Sequence, residues 1–142
     1  IAREFGRARR YGNELALAVI DLDDFGPINK QHGVIAADEV LAEFAAALRA
    51  HTRAVDLVAR YGGEEFVVLM PGCAAGAAAL LLERVRASIA GVPLGSRRIA
   101  LTFSAGVAEL AADDTDPLSV VHRADAALRR AKAGGKNRVE RS

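Results

Sequence analysis

Apolar residues fall into two kinds of run along this chain: short, nearly continuous stretches, and longer ones that return every three or four positions. Glu14–Leu22 (ELALAVIDL) is of the first kind and predicts a strand covered on both faces or central in a sheet. Asp56–Tyr61 and Phe66–Met70 are shorter versions, separated by Gly62-Gly63-Glu64-Glu65 and closed by Pro71-Gly72. Adjacent glycines accept the positive φ of a tight turn, so the two runs predict a hairpin. Ile99–Ala108 (IALTFSAGVA) predicts another strand, and Asn137–Glu140 a last short one. The helical runs differ in their spacing. Ile1–Arg10 predicts a largely basic helix stopped at Gly12 or Asn13. In Ala37–His51, Val40, Leu41, Phe44 and Leu48 share one face. Ala74–Ala90 buries Ala78, Leu81, Leu82, Val85 and Ile89. A helix from Pro117, capped by the Asp113–Asp116 loop, buries Leu118, Val121, Ala124 or Asp125, and Leu128, and stops at Gly134-Gly135. Gly26-Pro27 predicts a non-helical turn, with Gly33 a second break.

The order is β-α-β-β-α-β with an extra helix and a short final strand. That is the split βαβ pattern of a ferredoxin-like α+β domain, built on a central antiparallel sheet of the nucleotidyl-cyclase or palm kind. With 142 residues and no linker or repeat, the expectation is one domain spanning 1–142; the missing initiator Met adds the expectation that it was excised from a longer regulated protein. A net charge of +1 gives no electrostatic case for nucleic-acid binding. One cysteine, Cys73, precludes an intrachain disulfide and fits a cytoplasmic setting. No apolar run nears the roughly 18 residues of a membrane span, so no membrane contact is expected of this domain, although the full-length protein could be tethered elsewhere.

Charge changes the picture at the hairpin. A tight turn needs Gly62-Gly63; it does not need Glu64-Glu65, whose like charges repel unless a cation sits between them. If the first strand neighbours the hairpin, Asp21 and Asp23 at its carboxyl end approach the two glutamates. Four carboxylates without His or Cys favour a hard divalent ion, Mg²⁺ above all, and so phosphoryl or nucleotidyl transfer. The competing reading is four solvated turn acids.

Gly62-Gly63-Glu64-Glu65-Phe66 resembles the signature of GGDEF domains, the diguanylate cyclases. Other segments resemble the same family in the same order. They are Asp21-Leu22-Asp23-Asp24-Phe25 through Asn29 to Asp38, then Phe103–Val107, Arg123–Leu128, Ala131-Lys132 and Gly135-Lys136-Asn137. The resemblance implies condensation of two GTP into cyclic di-GMP and two pyrophosphates by two domains facing each other, hence at least a transient homodimer. By position it implies that Asp21, the Leu22 carbonyl, Glu64 and Glu65 hold Mg²⁺ (or Mn²⁺). Glu64 would accept the 3′-hydroxyl proton. Asn29 and Asp38 would read guanine; Asp24, Phe25, Gly62, Gly63, Lys132 and Lys136 would line the rest of the GTP site.

Arg53-Ala54-Val55-Asp56 carries the Arg-x-x-Asp spacing of the family's inhibitory product site, and Arg84 matches an arginine that completes it. The chemistry suits guanine: a guanidinium donates to O6 and N7 while a carboxylate accepts from N1 and N2. This sequence departs from the family at Gly26, where a phosphate-binding lysine is usual, at Lys30 and Val34, and at Ala37. The alternative function is therefore a weak or inactive domain that serves as a cyclic di-GMP receptor. His32 lies in the nucleotide loop, His51 and His122 on predicted helices; none is assigned a role.

Overall fold

The most apolar run sits in the middle of the sheet. A computed structural model describes all residues, 1–142. In chain order its elements are α1 (Ala2–Tyr11), β1 (Leu15–Leu22), α2 (Phe25–His32), α3 (Val34–His51), β2 (Leu57–Gly62) and β3 (Glu65–Pro71). After these come α4 (Ala75–Ile89), β4 (Phe103–Glu109), α5 (Pro117–Ala133) and β5 (Arg138–Arg141). The five strands are ordered β2-β3-β1-β4-β5. β1 runs antiparallel to both β3 and β4, β2 antiparallel to β3, and β5 parallel to β4. This is the ferredoxin-like arrangement with one added edge strand, and β1 and the hairpin are direct neighbours as expected.

Strand alternation then assigns each face. Ala16, Ala18, Ile20 and Leu22 of β1 join Phe66, Val68 and Met70 of β3 under α3 and α4. Leu15, Leu17 and Val19 join Val67 and Leu69 under α1 and α5. Phe44 of α3 anchors the larger core, its ring centroid 5.1 Å from Phe66 and 5.5 Å from Phe103. Alanine is common at these contacts, so the helices lie close to the sheet. Closest of all is α5, whose Ala124, Ala127 and Ala131 are fully buried. α1 ends on Gly12 at φ 67°, the left-handed stop the sequence predicts. No helix is long and apolar enough to cross a membrane.

Several boundaries correct the sequence reading. Gly26-Pro27 is not a turn: both lie in the first turn of α2, where proline's missing N–H is no loss because those amides have no intrahelical acceptor. The break at Gly33 is real (φ 86°), but α3 starts directly after it at Val34 rather than at Ala37. β4 begins at Phe103, not Ile99. Ile99 instead bridges Leu94, with N–H···O bonds of 2.8 Å in both directions, so it enters the core from a small loop. In α5, Leu118 is 54 % exposed; the buried face is Val120, Val121, Ala124, Ala127, Leu128 and Ala131. The helix is turned so that its small side chains meet the sheet. Leu81 is only half-buried on α4.

Candidate active site

The carboxyl end of β1 meets the β2–β3 turn. Asp21 is registered opposite Glu65 on one side and Ser104 on the other. It shares with Glu65 the face covered by α5, because both alternate with residues of the smaller core. Glu64 stands one residue earlier, in the turn, and its carbonyl accepts from the Leu22 amide at 3.3 Å. Gly63 takes φ 45°, and β2 slips register between Arg60 and Gly62. Arg60 Nε donates to the Gly63 carbonyl at 2.7 Å and pins the slip.

The acids perturb one another. Burial pushes the Asp21 carboxyl up, against the pull of Lys132, with Glu64 and Asp23 adding to the rise. Burial and then the Asp21 charge push Glu65 up, with smaller contributions from Asp125 and Glu64. Lys132 Nζ reaches Asp21 Oδ1 at 3.2 Å as an ion pair of poor hydrogen-bond geometry, and this buried oxygen has no other partner. No three Asp, Glu, His or Cys side chains close around a common point in this arrangement. The chemistry of the set nevertheless fits a hard cation: oxygen donors only, mutual repulsion, and one buried oxygen met only by a lysine ammonium.

Asp23 departs from the expected cluster of four. It is 3 % exposed and turned away from the hairpin. Its Oδ1 accepts from Ser104 Oγ at 2.7 Å; its Oδ2 accepts from Thr102 Oγ1 at 2.7 Å and from the Asn137 amide at 2.9 Å. A carboxylate so satisfied has little left for a metal. Asp24 follows in a left-handed conformation (φ 55°) and accepts from Lys136 Nζ at 2.6 Å. Lys132 and Lys136 are thus both brought to the β1 end. The Phe25 ring belongs to the core, and the Leu22 side chain is buried, leaving only its backbone for any ligand.

Asn29 on α2 and Asp38 on α3 are both exposed, and no hydrogen bond joins their side chains. Asp38 lines a groove of about 290 Å³ with Arg49, Arg60 and Phe66, which puts it beside the hairpin. On the far side, Arg53 grips Asp56 with Nη2 to Oδ1 at 2.7 Å and Nε to Oδ2 at 3.3 Å, and donates again to the Pro71 carbonyl at 2.7 Å. Arg84 stands exposed on α4 without an ion pair. Three features escaped sequence reasoning. These are the Asp23 hub, the Arg86–Asn137 bond at 3.1 Å, and the two-pronged Arg123–Asp114 pair at 2.7 Å. Only Asp23 left a signal, as the second acid of an Asp-Leu-Asp alternation.

A family model described as diguanylate cyclase, GGDEF domain, matches residues 1–138. The chain is 42 % identical over 142 residues to diguanylate cyclase DgcP of Pseudomonas aeruginosa, covering 99 % of this chain and 21 % of that protein. It is 41 % identical over 137 residues to the response regulator PleD of Caulobacter vibrioides, covering 94 % and 30 % respectively. It therefore spans between a fifth and a third of the length of these relatives. Among solved structures, the active GGEEF domain of a Vibrio cholerae diguanylate cyclase superposes with a TM-score of 0.93 at 32 % identity, covering 98 % of this chain and 89 % of that one. The GGDEF domain of DgcB from Caulobacter crescentus, solved with c-di-GMP, gives 0.92 at 35 % identity, covering 98 % and 84 %.

Proposed function

The chain belongs to the GGDEF family of diguanylate cyclases, and on that premise we propose that it condenses two GTP into cyclic di-GMP and two pyrophosphates. The observation that carries this reading is the registered Asp21–Glu65 pair with Glu64 at the adjoining turn, acids that raise one another's pKa and whose buried Asp21 oxygen is met only by Lys132. Asp21, Glu65, Glu64 and the Leu22 carbonyl would hold Mg²⁺ or Mn²⁺. A bound divalent ion supplies charge neutralisation at the phosphates and a lowered hydroxyl pKa. Glu64 takes the proton of the 3′-hydroxyl as its oxygen bonds to the α-phosphorus of the facing GTP, and the bond to pyrophosphate breaks; the same exchange in the opposite sense closes the ring. Each domain presents one GTP, so a second copy of the chain supplies the partner half. Lys132 and Lys136 offer their ammonium groups to the triphosphate in place of the carboxylates they now face. Asp38 and Asn29 read the guanine edge, and the Gly62-Gly63 backbone admits the phosphates.

Incubation with GTP and Mg²⁺, followed by chromatography, tests the reading. The wild type yields cyclic di-GMP, and Glu64→Gln loses at least about a hundredfold, as expected for removal of a general base. No cyclic product from a dimeric preparation would refute it.

A second reading, a receptor for cyclic di-GMP, is favoured by Gly26 at the position of a phosphate lysine; there the half-exposed Arg53 guanidinium, held in place by the buried Asp56, would meet the dinucleotide. Both readings use Arg53, Asp56 and Arg84 for the dinucleotide. In the cyclase the same contacts inhibit. Arg53→Ala should weaken cyclic di-GMP binding by about tenfold or more, the worth of a charge-assisted pair of bonds. Unchanged affinity by calorimetry would remove the product site from either reading.

A further inference from the structure

We infer that Asp23 is a positioning residue: it holds the Gly135-Lys136-Asn137 turn against the end of β1, and thereby delivers Lys136 to the triphosphate side of the site. The functional half of this inference rests on the cyclase reading above; the structural half does not.

Three observations support it. Asp23 is the one fully buried carboxylate at the β1 end, and each of its three bonds goes to a donor other than a metal or the hairpin. Two of those donors, Thr102 and Ser104, lie on the β4 segment, which fixes the carboxylate rigidly. The third is the amide of Asn137, in a turn where Gly135, Lys136 and Asn137 have φ of 118°, 64° and 47°. Two consecutive non-glycine residues in the left-handed region are strained and persist only when their surroundings hold them. The Asp23 carboxylate is one such hold, beside Arg86, which donates to Asn137 Oδ1 at 3.1 Å, Arg138 Nε, which donates to the Lys136 carbonyl at 3.1 Å, and the Lys136 amide, which donates to the Ala131 carbonyl at 3.0 Å. The product of the turn is the placement of Lys136 Nζ on Asp24. β5 anchors the chain to β4 from Arg138 onward, but the only bonds from the turn itself to the residues that follow β1 are those to Asp23 and, through that exposed lysine, to Asp24.

Asp23→Asn keeps the shape but turns a charged acceptor into an amide. The decisive experiment combines amide hydrogen exchange with binding of α,β-methylene-GTP in Mn²⁺. Exchange at the Asn137 amide should quicken about tenfold or more, while that at Leu128 in α5 stays unchanged. Nucleotide affinity should fall about fivefold or more, and Lys136→Met added to Asp23→Asn should cost little further, because the lysine is already displaced. The Mn²⁺ concentration for half-maximal nucleotide binding should not move in Asp23→Asn but should rise in Asp21→Asn. A rise in Asp23→Asn would make Asp23 a metal ligand and overturn the inference. So would unaltered exchange at Asn137, or fully additive losses with Lys136→Met. If Asp23→Asn does not fold, Thr102→Val removes one donor to the same oxygen, with the same expectations at about threefold size. If the wild type binds no nucleotide, the cyclase reading falls, and exchange at Asn137 alone decides whether Asp23 holds the turn.

Discussion

Gly106→Ala should be the most damaging single methyl that can be added to this chain. Gly106 lies on the face of β4 that meets α5. A Cβ there would stand 2.9 Å from the Ala127 carbonyl carbon and nearer still to the Ala124 carbonyl oxygen and the Leu128 amide. Carbon atoms settle at roughly 3.5–4.0 Å, so α5 would have to retreat by about 1 Å. All three obstacles are helix backbone, so no rotamer change can relieve them. Retreat would also loosen the packing of Val121, Ala124 and Leu128 on β1 and α1. Overpacking a filled core costs about 1–3 kcal/mol, and a whole-helix shift belongs at the upper end, near 3 kcal/mol. For a domain of this size that is a fall in Tm of about 10 °C. Urea unfolding should show the midpoint reduced at unchanged slope. There is a functional signature too. α5 carries Lys132, which faces Asp21, so a displacement of about 1 Å should lower turnover well below what the folded fraction accounts for. A loss under about 1 kcal/mol, or activity that follows the folded fraction alone, would mean that α5 does not set the site.

Other expectations test separate contacts. Arg123→Met leaves the nearly buried Asp114 without its two-pronged donor, and because the arginine is one-third exposed the cost at neutral pH should be about 1–2 kcal/mol by urea unfolding. Arg123 holds the Asp114 carboxyl below its ordinary 3.8. A depressed carboxylate stabilises the fold above the ordinary value and loses that contribution as pH falls through the depressed one. The gap between wild type and Arg123→Met should therefore be constant from neutral pH to about 4 and narrow below it. A gap that widens in acid would refute the pairing. Millimolar Mn²⁺ with GTP should raise the wild-type Tm by mass action and leave Asp21→Asn unmoved; an equal rise in both would place the ion elsewhere.

What could be read from the sequence follows the physics of each feature. β1 was legible because all but one of its eight residues, Asp21, obey one rule, burial on both faces, and its neighbours followed from the split βαβ order. The hairpin was legible because Gly62-Gly63 demands a turn and Glu64-Glu65 has no structural use there. α2 was not, because Gly and Pro signal a break only when their place in a helix is unknown; in the first turn both are tolerated. The start of β4 was misplaced because Ile99 and Leu101 are as buried as strand residues, although neither belongs to the main sheet. Local pattern reports burial, not pairing. The Arg53–Asp56 ion pair was legible because its residues are three apart; the Asp23–Asn137 bond was not, because its partners are 114 apart.

On the proposed function, the same distinction separates the residues that would do chemistry from those that would place it. Asp21, Glu64 and Glu65 stand out in sequence because each is out of keeping with its element: an acid closing an apolar strand, two acids at a tight turn. Asp23 is equally out of keeping, and sequence alone puts it in the same class. Only its three donors separate it. Both oxygens of Asp23 are engaged by well-placed donors, whereas the buried oxygen of Asp21 has only the Lys132 ammonium beside it. On the proposed function a divalent ion takes the place that the Lys132 ammonium holds beside Asp21, while Asp23 determines where Lys136 stands when that ion brings its phosphates.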